Sequence, residues 1–203
     1  MGFFITFIIL IIVIVIIFIF SSKKLSPIPY FPSQPVDLSL IVKALNLKNN
    51  QTIIDLGAGD GIVIFKAAKE AFQQGINTKF IAVEINPVLI LILYLRRLFH
   101  PNKENIMIVY GDMFKFSLSS PPPIGVEGRL RRGSRQNNGL DSPLQGNDIV
   151  VYLYISPWYL EKTILNIKNQ ISKFKTVSYM YPVKSLKNKE SAIQGKNKIF
   201  IYQ

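Results

Sequence analysis

The longest uninterrupted apolar run lies at the start, over residues 3–20, F-F-I-T-F-I-I-L-I-I-V-I-V-I-I-F-I-F, without one charge. As a helix at about 1.5 Å per residue it reaches about 27 Å, close to the ~30 Å hydrocarbon core, and no side of it is polar enough to face water. The pattern predicts a transmembrane anchor over residues 1–22. A cleaved signal peptide fits less well, because no Lys or Arg precedes the run and Ser21-Ser22-Lys23-Lys24 is a poor small-residue cleavage site. Lys23 and Lys24 lie only on the C-terminal side, so the positive-inside rule predicts a single pass with the rest of the chain in the cytoplasm.

Residues 23–35 break the pattern. They hold S-P-I-P-Y-F-P-S-Q-P, whose four prolines forbid a regular helix and predict an extended tether. Tyr30 and Phe31 are more aromatic surface than a passive spacer needs, so the tether is expected to fold back over the body of the protein. From residue 36 the periodicity is that of an α/β domain. A helix is expected over 36–45, then strand, turn and helix from 52 onward, a second strand over 79–84, a helix over 88–99 and a third strand over 106–110. A fourth strand (148–154), a helix to about 173, a fifth strand and a last strand over 197–203 complete it. The short connection before the last strand makes it antiparallel. The expected fold is a Rossmann-like, mostly parallel sheet with helices on both faces.

Residues 119–147 have a different composition, with P-P-P, several glycines and four of the six arginines. They cannot bury a core and read as a disordered insertion. The chain of 203 residues carries a net charge of +12, which favours anionic partners such as a lipid headgroup surface. No aromatics are interleaved with the arginines for base stacking, which argues against nucleic acid. With no cysteine and one histidine, disulfides, thiolate nucleophiles and metal sites have nothing to build with. His100, next to Pro101, reads as a surface cap at a helix end.

The chemistry concentrates at residues 52–61, T-I-I-D-L-G-A-G-D-G, a short strand closed by Asp55 and followed by Gly57, Gly59 and Gly61. Such a turn brings backbone amides and a helix N-terminus close to a ligand. A dinucleotide fingerprint would need its third glycine at position 62, where Ile62 stands, and no G-K-[ST] follows for a P-loop. A turn that only packs a helix on a sheet has the same appearance. Glu84, at the tip of the second strand, is placed to accept both ribose hydroxyls of a nucleoside, whether of an adenosyl cofactor or a dinucleotide. By position Asp112 is a candidate acceptor for an adenine amino group, with Met113 against the ring, although an N-cap aspartate would look the same. After the fourth strand, Tyr154, Ser156, Pro157 and the only tryptophan, Trp158, form a stiff aromatic edge able to orient an amine. Ser156 and Pro157 also suit a helix N-cap and first position.

The D-x-G-x-G-x-G spacing resembles the first motif of S-adenosylmethionine-dependent methyltransferases of class I. Together with P-Y-F-P-S at residues 29–33, E-I-N-P at 84–87, the Y-x-x-P turn at 154–157 and the final Tyr202, the order of parts resembles the membrane-anchored lysine methyltransferases of the ATP synthase c subunit and the adenine nucleotide translocase, with their bacterial relatives. The resemblance implies S-adenosyl-L-methionine as cofactor, bound by Asp55, Gly57, Ala58, Gly59, Gly61, Glu84, Asn86, Asp112 and Met113. It implies Tyr154, Ser156, Pro157 and Trp158 at the methyl transfer, and a protein substrate at the membrane. Two features depart from that branch: Ile62 where arginine is usual, and the insertion from about residue 120.

Overall fold

A computed structural model describes residues 2–118 and 148–203. The segment expected to be an insertion, 119–147, lies outside the described residues. Seven strands form one sheet in the order β3-β2-β1-β4-β5-β7-β6. They are β1 (Gln51–Leu56), β2 (Thr78–Glu84), β3 (Ile106–Tyr110), β4 (Asp148–Leu153), β5 (Lys175–Tyr179), β6 (Glu190–Gln194) and β7 (Lys198–Tyr202). The first five pair in parallel, and β7 runs antiparallel to both β5 and β6.

Alternation along the strands sorts the core into two layers. Ile53, Phe80 and Ala82 face one side, while Ile54, Ile81 and Val83 face the other. On the first side α2 (Leu38–Leu45), α3 (Ile62–Gln73) and α4 (Pro87–Leu98) pack through Ile41, Leu45, Ile64 and Leu93. On the second, α5 (Pro157–Lys168) packs through Leu160, Ile164 and Ile167. Strand β6 has no counterpart among the elements expected from the sequence. E-S-A-I-Q is exposed at four of its five positions, so no buried face marks it, and its main chain pairs with β7 from Glu190↔Tyr202 to Gln194↔Lys198.

Gly61 (φ 75°) precedes α3 in a left-handed conformation, and a Cβ there would meet the Leu93 side chain of α4 and come within 2.8 Å of Phe65 Cε2. This glycine sets how closely α3 and α4 approach. The same two helices are tied by His100, which is not a surface cap. Its Nδ1 accepts from the Asn102 amide (3.1 Å), which leaves Nε2 to donate to the Phe65 carbonyl (3.0 Å).

The first helix, α1 (Gly2–Ser21), has no buried residue and is long and apolar enough to cross a membrane. As a helix it covers residues 2–21 of the expected 1–22 segment. The tether does not hang free: it delivers Asp37, at the end of a 3-10 turn (Pro35–Asp37), to the β5–β7 side of the sheet. There the carboxylate accepts from Tyr179 Oη (2.7 Å) and the Lys196 and Asn197 amides (2.7 and 2.9 Å). Burial alone would raise its pKa, but these donors outweigh it and hold Asp37 below the usual carboxylate range.

Asp37→Ala leaves the buried Tyr179 hydroxyl and the part-exposed Lys196 and Asn197 amides without this acceptor and is expected to cost about 1–3 kcal/mol in urea denaturation. Because the folded pKa lies below the unfolded one, this contribution is present above pH 3.8 and is lost as pH falls through the folded value. Gly61→Ala is expected to destabilise by about 2–3 kcal/mol through combined overpacking and a positive φ, read in the same experiment.

Candidate active site

The crevice opens at the carboxyl ends of β1, β2, β3 and β4, where the strand order reverses on either side of β1. β1 ends in the glycine turn, and the amides of Gly57 and Ala58 both donate to the Val83 carbonyl at 2.9 Å, strapping the turn to β2. One residue on, Glu84 completes the joint. Its Oε2 accepts from the Gly59 amide and its Oε1 from the amides of Ile85 and Asn86, each at 2.8 Å. Glu84 is 7% exposed. Burial raises its pKa, opposed by the three amides, which favour the ionised form.

Asp55, Asp60, Glu84 and Asp112 line this one crevice, and no Lys or Arg is among the described residues that line it. Asp55 is 3% exposed, and its pKa stands well above the ordinary value, first because of burial and then because of Glu84 and Asp60. Asp60 is the exception, paired with Arg96 from α4 at 2.8 Å. Asp112 also accepts from the Phe114 amide (2.9 Å), closing a turn at the crevice; no helix begins there among the described residues, so it is not an N-cap.

Residues 26–33 of the tether form one wall. Tyr30 lies over the glycine turn: a Cβ on Gly59 (φ 59°) would come 2.8 Å from Tyr30 Cε2. Its pKa is pushed up to about 12 by burial and then by the neighbouring Asp60 carboxylate. Ser33 and Tyr152 share a buried hydroxyl–hydroxyl hydrogen bond of 2.9 Å. Burial, then Asp55, raises the Tyr152 pKa, and burial, then Tyr181, raises that of Tyr154, so both phenols stay neutral. Tyr154 packs edge-on against Tyr179, with ring centroids 4.9 Å apart.

The structure brings Asp55, Gly57, Ala58, Gly59 and Glu84 together with Asp112, Met113 and Tyr154 around the crevice. It places five other expected residues elsewhere. Gly61 packs under α4, as described above. Asn86 is the N-cap of α4, its Oδ1 accepting from Val88 (2.9 Å) and Leu89 (3.4 Å), while its buried Nδ2 has no partner. Ser156 and Pro157 occupy the N-cap and first position of α5, without a side-chain capping bond. Trp158 is 84% exposed and lies outside the crevice lining. The sequence reading did not assign Asp60, Tyr152 or Ile155, which do line it. Asp60 lies inside the glycine motif, and the aromatic Y-L-Y of β4 carried Tyr152, but neither signal says which side of the strand faces the opening.

No protein-family model matches the sequence, and no curated protein matches it. Solved structures are similar in fold. An RNA methyltransferase from Salinibacter ruber in complex with S-adenosyl-L-homocysteine matches with a TM-score of 0.61 at 14% identity, over 85% of this chain and 92% of that one. Precorrin-6y C5,15-methyltransferase from Geobacter metallireducens matches at 0.50 and 16%, over 89% and 88%. A SAM-dependent methyltransferase from Geobacter sulfurreducens, also with S-adenosyl-L-homocysteine, matches at 0.50 and 13%, over 85% and 60%. With the strand order and the antiparallel β7, these likenesses establish that the chain has the Rossmann-like fold of class I methyltransferases.

Proposed function

We propose that this chain is an S-adenosylmethionine-dependent methyltransferase at the cytoplasmic face of a membrane, acting on a lysine of a protein at that surface. The observation that carries the cofactor is the charge of the crevice, four carboxylates of which only Asp60 has a cation, Arg96 from outside the described lining. A pyrophosphate would be repelled there, whereas S-adenosylmethionine brings an ammonium and a sulfonium and no phosphate. The residues present fit it. A Cβ at Gly57 would touch Ile155 Cγ2 and Met113 Cε at 3.4 Å, so the bare glycine leaves a cradle between them. Glu84 would take the ribose hydroxyls, Asp112 and Met113 the adenine, and Asp55 would face the cationic end.

When bound, the cofactor supplies a methyl carbon activated by its sulfonium. The chain's own part is positioning and exclusion of water. Tyr30, Ile155 and Met113 wall the crevice with apolar surface, and a lysine amine desolvated there loses its proton more readily than in water. The neutral hydroxyl of Tyr154, a lining residue, would accept from the amine and aim its lone pair. Ser156, Pro157 and Trp158, on the exposed start of α5, would meet the acceptor protein outside the crevice. A protein lysine is supported by the motifs at residues 29–33, 55–61 and 84–87 and by α1. The net charge of +12 favours RNA as the second reading. Tritium-methyl labelling of membranes and RNA distinguishes them, and no labelled fraction from a protein that binds cofactor would indicate a non-catalytic module.

In calorimetry on the full chain in detergent, S-adenosylmethionine is expected to bind in the micromolar range, about tenfold or more weaker with Glu84→Ala, while NADH does not bind. No binding by the intact chain would overturn the proposal.

Asp55 provides an independent test through stability. Its folded pKa lies above the unfolded value of 3.8, so the unfolded chain loses this proton first and stability falls as pH rises from about 4 through the folded pKa. Asp55→Asn is expected to remove that decline, to raise Tm at pH 7 by about 2–4 °C, roughly 1 kcal/mol for a chain of this size, and to weaken cofactor binding. A variant that binds less without becoming more stable would contradict the electrostatic role.

A further inference from the structure

The side of α4 turned away from the core is apolar. Leu91, Leu95 and Leu98 are 59, 51 and 60% exposed and Phe99, just past the helix, is 83% exposed. Their spacing of four, seven and eight residues puts them in one stripe along the helix. Together they expose on the order of 400–500 Å² of apolar surface, the size of the largest patch on a monomer, which is often a functional one. Leu93, on the opposite side, is fully buried, so α4 carries apolar residues on its outer as well as its inner side, and only the inner ones are covered by the fold.

We infer that this stripe rests on the lipid surface, making α4 a second membrane contact beside the span. The inference rests on the membrane reading of α1. A helix of twenty residues is about 30 Å long, and the hydrocarbon core requires nearly all of it. α1 also lies against α4. An element that touches a helix committed along its whole length to the bilayer sits at the bilayer boundary. The stripe is therefore held where lipid, rather than another protein, is its nearest apolar medium.

The charges agree with an anionic headgroup layer. Lys23 and Lys24 follow α1, while Arg96, Arg97 and Lys103 flank the far end of the stripe, with Glu104 as the acidic neighbour. Arg96 is engaged with Asp60, so its contribution is partial, whereas Lys103 is exposed. An apolar stripe bordered by cations is the arrangement by which a helix lies in an interface. The N-terminus of α4 stands at the crevice, beside Glu84. A helix seated this way brings the crevice mouth to headgroup level, where an acceptor lysine of a membrane protein would be found.

The absence of cysteine makes the test direct. Single cysteines at Leu95, Leu98 or Phe99 carry a polarity-sensitive fluorophore on the full chain in phosphatidylcholine–phosphatidylserine vesicles. Ile9→Cys reports on the span, and Ala192→Cys on exposed β6 at the opposite sheet edge reports on water. The α4 labels are expected to be quenched by lipid-borne nitroxide and protected from iodide about fivefold or more relative to position 192. Protection at Ile9 with α4 labels as open to iodide as position 192 would overturn the inference and leave the span standing. An Ile9 label open to iodide would overturn both.

Discussion

A single carboxylate holds the crevice in shape. Glu84 ends β2, receives the Gly59 amide from the turn after β1, and receives the Ile85 and Asn86 amides that lead into α4. Three chain segments thus converge on one buried charge compensated by amide dipoles and by no cation. The neighbouring Asp55 and Asp60 add charge of the same sign. Like charges gathered this way cost the fold stability, and a positive charge placed among them would offset that cost. Binding and folding therefore pull on the same residues in opposite senses, the usual tension of a preorganised site.

Asp37 shows what the same functional group does when its donors are complete. It is as buried as Asp55, yet a phenol and two amides hold its pKa down, whereas Asp55 has two carboxylates for company and is pushed up. The difference lies in partners, not in depth. One aspartate fastens the tether to the sheet; the other lines the crevice.

The fold was legible because its signals are periodic. Apolar runs of strand length, the glycine turn and the E-I-N-P turn mark five strands and the helices between them; the last strand is antiparallel as expected, although the connection leading to it carries β6. β6 was not legible, since Glu190–Gln194 offers main-chain pairing without a buried side. The site was legible as a motif but not residue by residue. Gly61 and Asn86 belong to the same signatures as Gly57 and Glu84, yet one spaces two helices and the other caps one. Membership in a motif says that a residue type is required, and only geometry says whether a ligand or a neighbouring helix requires it. Tyr30 is the converse case, an aromatic among prolines whose place over Gly59 depends on contacts from another part of the chain.

The tether has a consequence for how such a protein is handled by the cell. Residues 26–33 are a wall of the crevice as well as the link to α1, and the Ser33–Tyr152 bond seals that wall to β4. A proteolytic cut just before the α/β domain would remove part of the crevice wall along with α1. Attachment and integrity are thereby inherited as one unit.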